Sequence, residues 1–180
     1  MNSNDKVPVS TGMKFVALLL IVGGVVGIGV CVWIDLKLLL NFRASPFTLT
    51  TAKMGVFILL YGWAVWTGRD LWRGRRQALR FAQILFAMQI PLLSVPGFSY
   101  EFHTGLSVLA SVLDGPHLHF GFQLGSSFTF LFLPLVQHVV IGVNIVALTV
   151  SVYLIQKSRK LLAAPPPELQ TSAAEIALGR

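Results

Sequence analysis

Gln137, Asn144 and Ser151 follow one another at seven-residue intervals. That spacing stacks three polar side chains on one stripe of a helix, with only about 20° of drift per step. In an apolar segment such a stripe can line a path for a ligand, a quinone head group or water. It can equally hydrogen-bond a neighbouring helix at about 0.6–2 kcal/mol per contact, with Gln83 and Gln89 as partners from the preceding helix. His138 and Thr149, eleven residues apart, form a second stripe about 100° around the same helix. His138 has the chemistry to bind a quinone or a haem iron. A bis-histidine haem needs a second histidine at the same depth, and His103, His117 and His119 fall in a different segment.

His117 and His119 would lie on the same side of a strand, near His103, Glu101 and Asp114. These are metal-ligand types, but two histidines do not complete a coordination sphere, and solvated side chains are the default expectation. No glycine-rich phosphate loop, zinc-protease motif, nucleophile–base pattern or pair of carboxylates is present. The sequence therefore offers no residues to carry catalysis, and neither an enzyme nor a resident cofactor or metal is expected.

The elements that must position these residues are apolar. Phe15 to Ile34 is an uncharged run of twenty residues, about what a helix needs to cross roughly 30 Å of hydrocarbon. The chain of 180 residues is 54% hydrophobic and 12% charged, with a mean hydropathy of +0.73. Soluble domains carry about 25% charged residues, so lipid is the expected solvent. The net charge of +7 does not imply nucleic acid, because the Lys and Arg residues sit beside the ends of apolar runs, as membrane topology requires. The single cysteine, Cys31, excludes relay chemistry that needs cysteine pairs. Lys6 and Lys14 precede the first run as in a signal peptide, but the run is longer than an h-region and no A-x-A site follows, so a retained span is expected.

The hydropathy pattern predicts an all-α integral membrane protein, a bundle of four transmembrane helices with a small extracytoplasmic β-hairpin between the third and fourth. Spans are expected at 15–34, 52–72, 77–95 and 134–156. Pro91 should kink the third, Pro96-Gly97 should end it, and Pro134 suits the first turn of the fourth. The insert at 98–127 holds His117 to Leu124, which alternates with period two, and Asp114-Gly115-Pro116, a turn signal. Residues 1–14 and 161–180 read as tails, the second disordered.

Arg69, Arg73, Arg75, Arg76 and Arg80 crowd the connection between spans two and three. With that connection in the cytoplasm, both termini are cytoplasmic, and of the 14 Lys and Arg residues only Lys37, Arg43 and Lys53 fall outside, leaving eleven inside, in line with the positive-inside rule. A bacterial inner membrane is the expected location. Gly23 and Gly27 lie on one stripe of span one with Cys31, and Gly55 and Gly62 flatten a face of span two, as close helix packing requires. The expected partners are the lipid bilayer and a membrane protein or a second copy. The expected function is that of a non-catalytic accessory or scaffold subunit acting through helix and hairpin contacts. The alternatives are a small carrier or ligand-binding protein using the span-four stripe, and a quinone- or haem-binding redox subunit.

Overall fold

A computed structural model describes residues 7–40, 47–113, 117–132 and 139–163. The fold is not an all-α bundle. Helices α1 (Thr11–Leu40), α2 (Phe47–Trp72) and α3 (Arg76–Met88) precede strands β1 (Pro91–Val95), β2 (Phe98–His103), β3 (Leu106–Leu113), β4 (Leu118–Leu124), β5 (Ser127–Phe132) and β6 (Val140–Asn144). Helix α4 (Ile145–Ala163) closes the described chain. Among the described residues one helix, α1, is long and apolar enough to cross a membrane, over Thr11–Lys37.

Three of the four expected spans are corrected: α2 is a helix close to the expected 52–72 but is not long and apolar enough to count as a span, and the third and fourth change structure. The helix expected over 77–95 stops at Met88. Pro91 does not kink a helix but opens a strand, the position where a residue with fixed φ and no N–H costs a ladder least. The helix expected over 134–156 begins only at Ile145. Val140, Ile141 and Val143, all β-branched, form β6 instead, because such side chains pack well on a pleated surface. Asn144 then starts α4: its Oδ1 accepts from the N–H of Val146 (3.1 Å) and of Ala147 (3.2 Å), satisfying two of the amides that a helix start leaves open.

α1 and α2 pack antiparallel. Lys14 lies over the Trp72 ring, Ala17 faces Gly68, and Gly24 and Gly27 face Tyr61. Met13, Val16, Ala17 and Leu20 of α1 are buried with Ala64 and Leu71 of α2, Leu79, Ala82, Leu85 and Phe86 of α3, and Ala147, Val150 and Leu154 of α4. The α3 contribution repeats every three or four residues, the period of one helix face.

The strands make a single antiparallel sheet in the order β4-β3-β6-β1-β2-β5. Its logic lies in the register. Residue numbers of the β2–β5 pairs sum to 230 (Phe98↔Phe132, His103↔Ser127), and so do those of the β3–β4 pairs (Leu106↔Leu124, Val112↔Leu118). β2–β3 and β4–β5 are therefore the two arms of one long hairpin, bent at Thr104-Gly105 and Gly125-Ser126. Gly105 (φ 80°) and Gly125 (φ 134°) take backbone angles closed to most side chains, and Gly125 N–H donates to Gly105 O at 2.7 Å across the bend. β1 and β6 pair with each other and bridge the two halves, β1 against β2 and β6 against β3. The hairpin expected as an isolated insert over 98–127 is thus part of a six-stranded sheet that curls round its own bend.

Candidate functional site

Strand alternation sorts the sheet into two unlike faces. One carries Leu118, Phe120, Phe122 and Leu124 of β4, and opposite them Leu106, Val108, Ala110 and Val112 of β3. Ile141 and Val143 of β6, Leu93 of β1, Tyr100 and Phe102 of β2, and Phe128 and Phe130 of β5 continue it through the register. The other face carries Ser94, Ser99, Glu101, His103, Ser107, Ser111, His119, Gln123, Gly142 and Asn144, with Leu92, Leu109, Leu113, Leu131 and Val140 among them. Along β6 the sense of the sheet is plain: Gly142 and Asn144 are buried while Ile141 and Val143 are exposed. On β6, then, apolar side chains point out and small or polar ones point in, the reverse of a strand whose outer side faces water.

The bend divides the apolar face. On the β2–β5 side it packs on the helices. Phe57 of α2 stacks on Phe128 with ring centres 3.5 Å apart, Tyr61 lies 5.7 Å from Phe102, and Cys31 and Met54 complete this second core. Tyr100 donates to Met88 O at 2.6 Å, and burial pushes its phenol pKa up. A cavity of about 340 Å³ remains here, lined by Val56, Phe57, Leu60, Met88, Tyr100, Phe102 and Phe130, a size that holds a small apolar ligand. On the β3–β4 side the face is bare: Leu118, Phe120, Phe122 and Leu124 are 58, 68, 70 and 80% exposed. Monomeric soluble proteins seldom leave a contiguous apolar patch of this kind open unless it binds something.

Where the sheet meets α3 and α4, the inner face buries polar groups. Gln89 Oε1 accepts from Thr104 N–H (3.1 Å) and Thr104 Oγ1 (3.3 Å), and Asn144 N–H donates to Ile90 O (2.8 Å). His103 Nδ1 lies 3.4 Å from Glu101 Oε1. Gln89 Nε2, Asn144 Nδ2 and the hydroxyls of Ser107 and Ser151 have no hydrogen-bond partner among the described residues. Each such group costs about 1–3 kcal/mol if it stays unmatched.

The far end of the helices is basic. Val7 N–H donates to Gly74 O, Ser10 Oγ and Tyr153 Oη are 2.9 Å apart, and Arg75 pairs with Asp70 at 2.9 Å. The start of α1, the α2–α3 turn and the second half of α4 thus share one end of the molecule. A cleft of about 470 Å³ there is lined by Ser10, Thr11, Gly12, Tyr153, Gln156, Lys157 and Lys160.

The residues singled out from sequence scatter over this architecture. Gln137 and His138 lie outside the described residues. Asn144 and Ser151 are both buried, the first as the α4 cap and the second on the helix. Gln83 Nε2 donates to Leu154 O of α4 at 3.1 Å. Gly23 and Gly27 do not share one neighbour. A Cβ at Gly23 would come within 2.5 Å of Gly105 N in the sheet bend, and one at Gly27 within 2.5 Å of the Tyr61 ring on α2. Gly55 and Gly62 have nothing within 4 Å of a Cβ, so no other element packs on them among the described residues. Arg69, Arg73, Arg75, Arg76 and Arg80 line the α2–α3 turn. His119 sits on the face of β4 opposite the phenylalanines, with His117 just before the strand. Among the described residues no three His, Cys, Asp or Glu side chains are grouped to hold a metal. Sequence reasoning missed the extent of the apolar face and the buried Gln89–Thr104 contact. The signal for the first was present in the alternation of β4, but β6 was hidden inside the span expected over 134–156, and β5 fell between the insert and that span.

No protein-family model matches the chain, no curated protein matches it, and no solved structure matches it.

Proposed function

We propose that this chain is a non-catalytic membrane protein, an accessory or scaffold subunit held in the bilayer by α1 and working through the outer apolar face of its sheet. The observation that carries this is the bare β4 side of that face, four large apolar side chains each more than half exposed. In water such a face invites aggregation; against lipid or a membrane-embedded partner it is the ordinary arrangement, as in barrels that point apolar residues outward and polar residues inward. Retention of α1 is favoured by its place in the core, where Met13, Ala17 and Leu20 are fully buried. The shared basic end suits the cytoplasmic side of a bacterial inner membrane, where Lys and Arg meet anionic head groups at about 1 kcal/mol per residue. The start of α1 and the end of α4 then lie on that side.

Native mass spectrometry after gentle extraction from the membrane tests the proposal. The expected result is a complex containing at least one further polypeptide in fixed ratio, lost when Phe120 and Phe122 are both replaced by Asp. A bare monomer for the unaltered chain contradicts it. The α2–sheet cavity supports a second reading, a carrier for a small apolar molecule. That reading expects a single chain bearing a defined small mass that disappears in Leu60→Trp, which fills the cavity.

A further inference from the structure

β4 reads Leu118-His119-Phe120-Gly121-Phe122-Gln123-Leu124, nearly the same in both directions about Gly121. It pairs with β3 on one side and is the last strand of the sheet on the other. Sheet edges are normally guarded by Lys, Pro or a bulge, and this one carries none of the three. We propose that β4 is a self-association edge. Two copies pair antiparallel through Leu118–Leu124 about a two-fold axis at Gly121, joining two sheets into one.

A two-fold interface must be complementary to itself, and the near-palindrome meets that condition at every position. Gly121 falls opposite Gly121 of the second copy, Phe120 opposite Phe122, Leu118 opposite Leu124, and His119 opposite Gln123. Aromatic pairs form on the outer face and a polar, hydrogen-bonding pair on the inner face, with no like charges opposed. Gly121 at the axis carries no side chain of its own to hinder a second backbone, and glycine within a strand often marks such a close approach.

The inference rests on the scaffold reading and deepens it, because the membrane makes an open edge untenable. Ser126 Oγ donates to Gly23 O at 2.6 Å, and Gly23 is close to midway along Thr11–Lys37. The bend of the sheet is docked at mid-height on the helix that would cross the bilayer. Hydrocarbon offers no partner to backbone N–H and C=O groups, so open sheet edges do not face lipid. Edge pairing satisfies one set of them and leaves the apolar faces of both copies outward.

The test uses two differently tagged full-length chains, Leu118→Cys and Leu124→Cys, each with Cys31→Ala, oxidised with copper phenanthroline in native membranes. Both positions are exposed, so the fold tolerates them. In the proposed register residue 118 of one copy sits about 5 Å from residue 124 of the other, within disulfide reach, whereas identical residues are about 20 Å apart. Co-expression should therefore give about tenfold more crosslinked dimer than either chain alone, because a separation of about 20 Å lies far beyond the roughly 7 Å Cα–Cα limit of a disulfide. Gly121→Cys should crosslink with itself. Equal yields in the mixture and in the single chains, or none in any, overturn the register and the edge with it. Alkaline carbonate washing of the same membranes separates the two ideas. A chain retained in the pellet without mixed crosslinks overturns edge pairing alone. A chain that is released yet gives the mixed crosslink supports edge pairing and removes the bilayer reading.

Discussion

The strand that runs from Leu118 to Phe132 passes through two environments. Before the bend, Phe120 and Phe122 are bare; after it, Phe128 is stacked on Phe57 and joins a core with Tyr61 and Phe102. Both halves alternate in the same way and keep the same register, the pairs on each side summing to 230. The difference is supplied by α2, whose Phe57 and Tyr61 cover the apolar face on the β2–β5 side of the bend and leave its β4 side bare. Local pattern decides which side chains share a face, and what covers the face is decided elsewhere in the chain or outside it.

The largest effect that could break this comparison is truncation on each side of the bend. Phe102→Ala, on the covered side and 3% exposed, should cost about 3–5 kcal/mol of stability. Phe122→Ala should change unfolding of the detergent-solubilised monomer by no more than about 0.5 kcal/mol. Equal losses in an unfolding titration would mean that the two halves are not differently covered.

Two glycines sharpen the point at the helices. Gly27→Ala drives a methyl into the Tyr61 ring and should cost about 1–3 kcal/mol. Gly62→Ala meets open space and should be neutral or stabilising by up to about 1 kcal/mol through helix propensity. A thermal melt of each variant decides it, and a loss at Gly62 as large as at Gly27 would place a neighbour on that face of α2. Asn144→Ala should cost about 1 kcal/mol through loss of the α4 cap, with Asn144→Ser restoring part of it in the same melt. The smallest effect is expected at the basic end. The Arg75–Asp70 pair, with the arginine side chain 37% exposed, should contribute about 0.2–1 kcal/mol and weaken with added salt.

The sequence made the helices α1, α2 and α3 readable because apolar stretches of that length favour helices, but of the spans expected there only α1 is long and apolar enough to be one among the described residues. It misled over 89–95 and 139–144 because a continuous apolar run of that length fits a buried strand as well as a helix segment, and periodicity does not separate them. Pro91 did not separate them, because a helix kink and a strand start both accommodate a proline. The β4 alternation was legible because its odd positions, His119, Gly121 and Gln123, are visibly less apolar. The apolar face as a whole was not legible, since it is assembled from five further strands whose order needs pairings distant in sequence.

The central claim is that the bare side of the sheet lies against apolar surroundings in the working protein. The most direct measurement is fluorescence from an environment-sensitive label on Phe122→Cys, in a Cys31→Ala chain reconstituted into phospholipid vesicles. Quenching by nitroxide-bearing acyl chains, with protection from aqueous iodide, is the predicted result. Strong quenching by iodide with none from the lipid nitroxides would contradict the account and place the face in water.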